Sequence, residues 1–174
     1  MQYFVYGRDR PGGFGLKVSL TEEHWAFMDG YADALIARGP TLTEDGEETT
    51  GSLHIVDLPD VAAARSFAYE EPYYRAGAFE SVLLTRFRIH VGSTMWDFTE
   101  AVEGYGRYLV LTKDEPRPLT SKHLILYGDL LGLDDDAHVG RAALVEAPDA
   151  EAAAVLVSAA VADVHPWEFG GRRD

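Results

Sequence analysis

Apolar and polar positions along this chain change period several times, and each change marks an element. Gln2 to Tyr6 is largely apolar and reads as a first strand. Pro11-Gly-Gly-Phe-Gly then predicts a mobile loop. From Thr21 the spacing turns helical: Trp25, Met28, Ala32, Leu35 and Ile36 predict one helix with a buried stripe, ended by Gly39-Pro40. Thr21 is its expected N-cap, with Glu22 and Glu23 in the first turn where the helix dipole favours acids. Thr41 to Thr43 suggests a short edge strand before an acidic turn. Leu53 to Leu58 is a β-branched strand run, stopped by Pro59, which cannot donate to a sheet ladder. Asp60 should cap a helix reaching about Tyr69, and Pro72 interrupts it. Ser81 to Val91 alternates, with Phe87, Ile89 and Val91 on one face and Arg86, Arg88 and His90 on the other.

The stretch from Gly51 to Ala64 is written a second time from Gly140 to Ala153, with Pro59 and Pro148 fixing an offset of 89 residues. Strand, aspartate cap and alanine-rich helix occur in both copies. A repeat this long implies two small domains rather than a solenoid. The expected division is residues 1–91, a linker at 92–106 and a degenerate second copy at 107–174. Trp96, Phe98 and Tyr105 make that linker apolar enough to pack across the domains. In the second copy, strands are expected at Tyr108–Leu111, Tyr127–Leu131 and Ala142–Val145. A shortened first helix falls between Pro118 and Gly128, and a second helix over Asp149–Val161. Trp167-Glu-Phe closes the fold, and Arg172-Arg-Asp reads as a frayed tail.

The order β-α-β-β-α-β defines an α+β, ferredoxin-like unit. Its four-stranded sheet carries helices on one side, so the other face needs cover. Two covalently linked copies can supply it to each other as an internal pseudo-dimer, with a homodimer of intact chains as the alternative.

Composition narrows the partners. A net charge of −14 over 174 residues argues against nucleic acid, whose phosphates require a basic surface. The chain has no cysteine, which removes thiol chemistry and thiolate metal sites. No apolar run is long enough for a membrane span, and the N-terminus has no secretory pattern. The expectation is a soluble cytoplasmic protein that binds a small molecule, with no membrane partner, metal or cofactor.

The candidate chemistry starts at His24, early in the first predicted helix. The dipole there disfavours added positive charge, and a neutral imidazole is usable as a general base. The same residue would also suit a role-free first-turn position. Asp29 and Asp33 lie roughly 140° and 180° from it around the axis, so a carboxylate partner must come from elsewhere. Glu71, turned off its helix by Pro72, is the best candidate. Tyr6, Tyr73 and Arg86 are the candidate substrate-binding residues, while the remaining histidines have no close metal-type spacing.

Several motifs together resemble the YCII-related (YciI-like) domain family. They are the Tyr-Phe-Val-Tyr start, His24, Arg38-Gly-Pro before a Gly-Ser strand, Leu58-Pro-Asp, Glu71-Pro72-Tyr73, and Ala76-Gly-Ala-Phe-Glu. The resemblance runs from Gln2 to Ile89 and weakens from Tyr108 onward. It implies the dimeric α+β barrel version of the ferredoxin-like fold, for which tandem copies are known. It also implies a marked histidine–aspartate pair taken to suggest enzymatic activity. A dehydrochlorinase of aromatic degradation is one relative, and muconolactone isomerases are similar in fold. His24 matches the family histidine, and Glu71 stands where the family has aspartate. The second copy has Ala160, Val161 and Ala162 at the Glu71-Pro-Tyr positions and only His123, so it is expected to complete the barrel without a site. Two readings follow: a lyase or isomerase in which His24, oriented by Glu71, moves a proton, or a non-catalytic ligand-binding module using the same cleft.

Overall fold

A computed structural model describes residues 1–159 and 162–171. Eight antiparallel strands form one sheet. The first half contributes β1 (Gln2–Asp9), β2 (Leu35–Leu42), β3 (Thr49–Asp57) and β4 (Phe79–Val91). The second half contributes β5 (Gly106–Thr112), β6 (Leu124–Leu131), β7 (His138–Ala147) and β8 (Asp163–Pro166). The order is β2-β3-β1-β4-β6-β7-β5-β8, so each half repeats the ferredoxin-like arrangement. β4 pairs with β6, Phe87 facing Leu130 in register. At the opposite seam, Thr41 bridges to Trp167, and the Glu168 and Gly170 amides donate to the Pro40 and Arg38 carbonyls at 3.3 and 3.0 Å. The sheet thus curls into an α+β barrel, an internal pseudo-dimer of two ferredoxin-like halves.

Period-two alternation sorts the side chains. Phe4, Tyr6, Leu53, Ile55, Phe87, Leu109, Leu111 and Leu144 fill the barrel from both halves. Tyr3, Val5 and Val56 point outward, under α2 (Thr21–Asp29) and α3 (Val61–Glu70). Tyr108, Val110, Ala143 and Val145 do the same under α5 (Ala150–Leu156). Strands buried on both faces are largely apolar; all eight residues of β6 are buried, with Asp129 the one charged residue among them. The offset of 89 between Pro59 and Pro148 also relates β2 to β6 and β3 to β7 residue by residue. The two caps match as well: Asp60 accepts from the Ala63 amide and Asp149 from the Ala152 amide, both at 2.8 Å.

Several expectations are corrected. The predicted long helix stops at Asp29; after a short turn at Ala32–Ala34 the chain becomes β2. Leu35 and Ile36 are strand residues, and a strand buried on two faces imitated a helical stripe. Thr21 does not cap α2: Leu20 takes that place, and the Thr21 hydroxyl donates to the Lys17 and Val18 carbonyls. The expected loop at Pro11–Gly15 leads directly into a helix, α1 (Gly13–Ser19). Gly12 makes the turn at φ 79°, and at Gly13 a Cβ would lie 2.6 Å from the Ala78 carbonyl oxygen.

No first helix forms in the second half. Residues 113–123 are irregular, with Pro116 and Pro118 lacking N–H donors, and β6 begins where that helix was expected. In the linker Met95 is buried and Phe98 packs on the barrel core, whereas Trp96 is 51% exposed. A register irregularity after Ile89 moves Val91 off the face it was expected to share with Phe87. The last helix ends at Leu156; its expected end at Val161 and the Arg172–Asp174 tail lie outside the described residues. Among the described residues, no helix is long and apolar enough to cross a membrane.

Candidate functional site

Two neighbouring helices create the site. α2 presents His24 from its first turns, its amide bonded to the Leu20 carbonyl at 2.9 Å. Pro72 ends α3 and opens a one-turn helix, α4 (Pro72–Arg75), with Glu71 between them in an extended conformation. One carboxylate oxygen of Glu71 caps α4, accepting from the Tyr74 amide at 2.6 Å. The other meets His24 Nδ1 at 3.0 Å. Both side chains are buried, His24 at 11% and Glu71 at 6% exposure. The proline break expected to turn Glu71 inward does so by making it an N-cap.

The imidazole is fixed on a second side by Tyr73, stacked on it at 4.0 Å and 7° between planes. Burial pushes the Tyr73 phenol up to about 12. It therefore stays protonated at neutral pH. With Nδ1 donating to the Glu71 carboxylate, Nε2 is the His24 nitrogen left to act as an acceptor. His24 and Tyr73 border a cavity of about 260 Å³ whose apolar walls include Phe14, Trp25 and Phe169. Phe169 belongs to the segment after β8, so the second half supplies part of the wall.

Three polar side chains at this cavity were not among the expected site residues. Lys17 of α1 is buried, donating to Asp9 at 3.0 and 3.1 Å, to Thr49 at 3.0 Å and to the Gly51 carbonyl at 3.4 Å. Burial pulls its ammonium below the ordinary lysine value, and the Asp9 carboxylate opposes that shift. The signal for Lys17 lay hidden because its segment was read as loop. His54 and Arg38 face each other in register across β3 and β2. The His54 ring lies 5.6 Å from that of His24. Burial holds its pKa well below 6.5, and its neighbours His24, Arg38 and Lys17 act in the same direction. A lone histidine and a lone arginine in apolar strand runs were the available signals. Both interrupt runs that otherwise point only to core.

Of the five residues expected at the site, the fold brings three together: His24, Glu71 and Tyr73. Tyr6 instead points into the barrel, its hydroxyl 2.8 Å from Thr41 Oγ1. Arg86 lies at the seam between the halves, paired with Asp136, beside the equally seam-bound pair of His90 and Asp129 at 2.7 Å. Arg86 and His90 thus lie in the interface between the two copies rather than at the cavity.

The corresponding region of the second half differs. Arg141 occupies the position equivalent to Ser52, with its guanidinium fully buried. It donates to the Tyr127 hydroxyl at 3.2 Å, the Val157 carbonyl at 3.0 Å and Asp114 at 3.3 Å. A long ordered side chain stands where Ser52 leaves room. Ala160 and Val161, the counterparts of Glu71 and Pro72, lie outside the described residues, and Ala162 packs on the second helical core.

Among curated proteins, this chain is 26% identical over 95 residues to an uncharacterised protein of Haemophilus influenzae, covering 51% of this chain and 97% of that one. It is 27% identical over 95 residues to protein YciI of Escherichia coli, with the same coverage. Among solved structures, the 5-chloro-2-hydroxyhydroquinone dehydrochlorinase TftG of Burkholderia phenoliruptrix, in complex with 2,5-dihydroxybenzoquinone, aligns at TM-score 0.49 and 26% identity. That alignment covers 52% of this chain and 96% of TftG. A monooxygenase-like protein of Lactobacillus acidophilus aligns over 98% of this chain and 96% of its own, at TM-score 0.49 and 7% identity. The family model of the YCII-related domain matches residues 1–88, half of the chain and the half that holds His24 and Glu71, and the chain belongs to that family.

Proposed function

We propose that this protein is a small-molecule enzyme of the lyase or isomerase type, in which His24 moves a proton to or from a ligand held in the cavity. One observation carries the reading: His24, held through Nδ1 by the buried Glu71 carboxylate, borders an aromatic-walled cavity. Glu71 holds the Nδ1 tautomer and balances the positive charge that develops when Nε2 accepts a proton. Its own position is set by the α4 amide, so the acid does not need to reorient during turnover. Tyr73 fixes the plane of the ring. Glutamate in place of the family aspartate keeps a carboxylate while lengthening its reach by one methylene, and its 3.0 Å contact with the imidazole supports the same orienting role. Under this proposal residues 1–91 form the catalytic copy, and residues 107–174 a degenerate copy that completes the barrel and one wall of the cavity.

Incubating lactones and hydroxylated aromatics with the wild type and with His24→Ala tests the reading. Conversion by the wild type should fall by about 100-fold or more in the variant, the usual contribution of a positioned base. Conversion that survives the substitution unchanged removes His24 from the chemistry. A compound that binds tightly and is recovered unaltered favours a binding module instead.

A further inference from the structure

Within the cavity the nitrogen-bearing side chains are not equivalent. The Lys17 ammonium is saturated by Asp9, Thr49 and the Gly51 carbonyl. His24 is committed to Glu71 through Nδ1. Arg38 alone has spare capacity. Its Nε donates to the Gly170 carbonyl at 3.3 Å, and among the described residues its two terminal nitrogens make no hydrogen bond. Glu168, on the same strap at the cavity rim, is exposed and makes no bond to it among the described residues. The strap itself seats the guanidinium: Gly171 passes against it so closely that a Cβ there would collide with Nη2 and Cζ. Gly39, next to Arg38, meets the strap as tightly, since a Cβ would lie 2.8 Å from Trp167 Nε1.

We propose that Arg38 is the substrate-anchoring residue of this cavity, binding the carboxylate of a small aromatic or cyclic acid whose reacting carbon then lies toward His24. The assignment rests on reading the His24 cavity as the substrate site. A guanidinium has a planar fork of donors that matches a carboxylate in two parallel hydrogen bonds. Held by one edge to the Gly170 carbonyl, Arg38 offers its terminal nitrogens in a restricted orientation, so little side-chain freedom is lost on binding. His54, opposite it across the strands, is a neutral imidazole and does not compete for the anion. Phe14, Trp25 and Phe169 supply flat apolar walls for a ring. Because Gly170 and Gly171 follow β8, the anchor is held in place by the half that carries no base of its own.

Benzoate and its neutral isostere benzamide provide the test, titrated calorimetrically against the intact chain. Wild type should prefer benzoate by about tenfold or more, as expected for a charge-assisted pair of hydrogen bonds, and rising salt should erode that preference. Arg38→Ala should abolish the preference, and Arg38→Lys should restore only part of it. Arg38→Gln, with a donor toward Gly170, serves if alanine loosens the strap. A wild type that binds neither compound, or binds both alike, overturns the proposal, as does a preference that persists without Arg38. Loss of His24-dependent conversion with the Arg38-dependent preference intact would instead overturn the proton-transfer reading and leave the anion site standing.

Discussion

At the scale of single residues, the site rests on side chains that each do two things. Glu71 caps α4 with one oxygen and holds His24 with the other. Glu71→Gln keeps a cap acceptor but removes the charge opposite the imidazole. It should unfold within about 1 kcal/mol of wild type, the scale of a single cap, while conversion falls by about 10-fold or more. Denaturant unfolding alongside turnover separates the two effects. Lys17 and Asp9 are both buried, with side chains 6% and 5% exposed. Lys17→Ala leaves a buried carboxylate without its cation and should cost about 3 kcal/mol or more in urea unfolding.

His54 gives a pH signature. Its folded pKa lies well below the unfolded 6.5, chiefly through burial. The unfolded chain therefore binds more protons, and stability falls as pH drops below about 6.5 toward the folded value. His54→Leu should flatten that decline and leave the slope above neutrality unchanged. Melting temperatures measured between about pH 5 and 8 would show it, and an unaltered acid slope would mean that His54 is not held neutral.

At the scale of elements, legibility followed local chemistry. The Asp60 and Asp149 caps, the Pro59 and Pro148 stops and the strand after each Gly51-type glycine were readable, because each depends on two or three adjacent residues. Asp60→Ala and Asp149→Ala should each cost about 1 kcal/mol in thermal unfolding. Their effects should add, since the caps sit on separate helices. What was not readable depended on partners distant in sequence. Leu35 and Ile36 fit a helical stripe, and only pairing with β3 makes them a strand. α1 has glycine, a residue of low helix propensity, at its first and third positions, yet it forms over the Ala78 carbonyl and places Lys17 on Asp9. The His24–Glu71 pair was legible because a proline marks its geometry. Arg38 and His54 were not, because a strand's outward positions give no sign of which faces a cavity.

At the scale of the whole molecule, two similar halves have unequal roles. The barrel interior is built from both, so neither sheet is covered alone. A fragment of residues 1–91 would expose Phe4, Tyr6, Leu53, Ile55 and Phe87, and it should self-associate or aggregate in sedimentation velocity. A soluble monomeric fragment, with the intact chain an obligate dimer, would place the pairing between chains. One half keeps the cavity and the His24–Glu71 pair; the other carries Arg141 at the Ser52 position and lends the strap that borders the cavity.

The central claim is that His24 takes up and returns a proton at one cavity per chain. Hydrogen exchange at carbon tests it most directly: lactones and hydroxylated aromatics are incubated with the protein in deuterium oxide and followed by proton NMR. Wild type should wash one carbon-bound proton out of an accepted compound, and His24→Ala should slow that loss by about 100-fold or more. Exchange that proceeds equally in the variant, or no exchange in any compound that the wild type binds, would contradict the account.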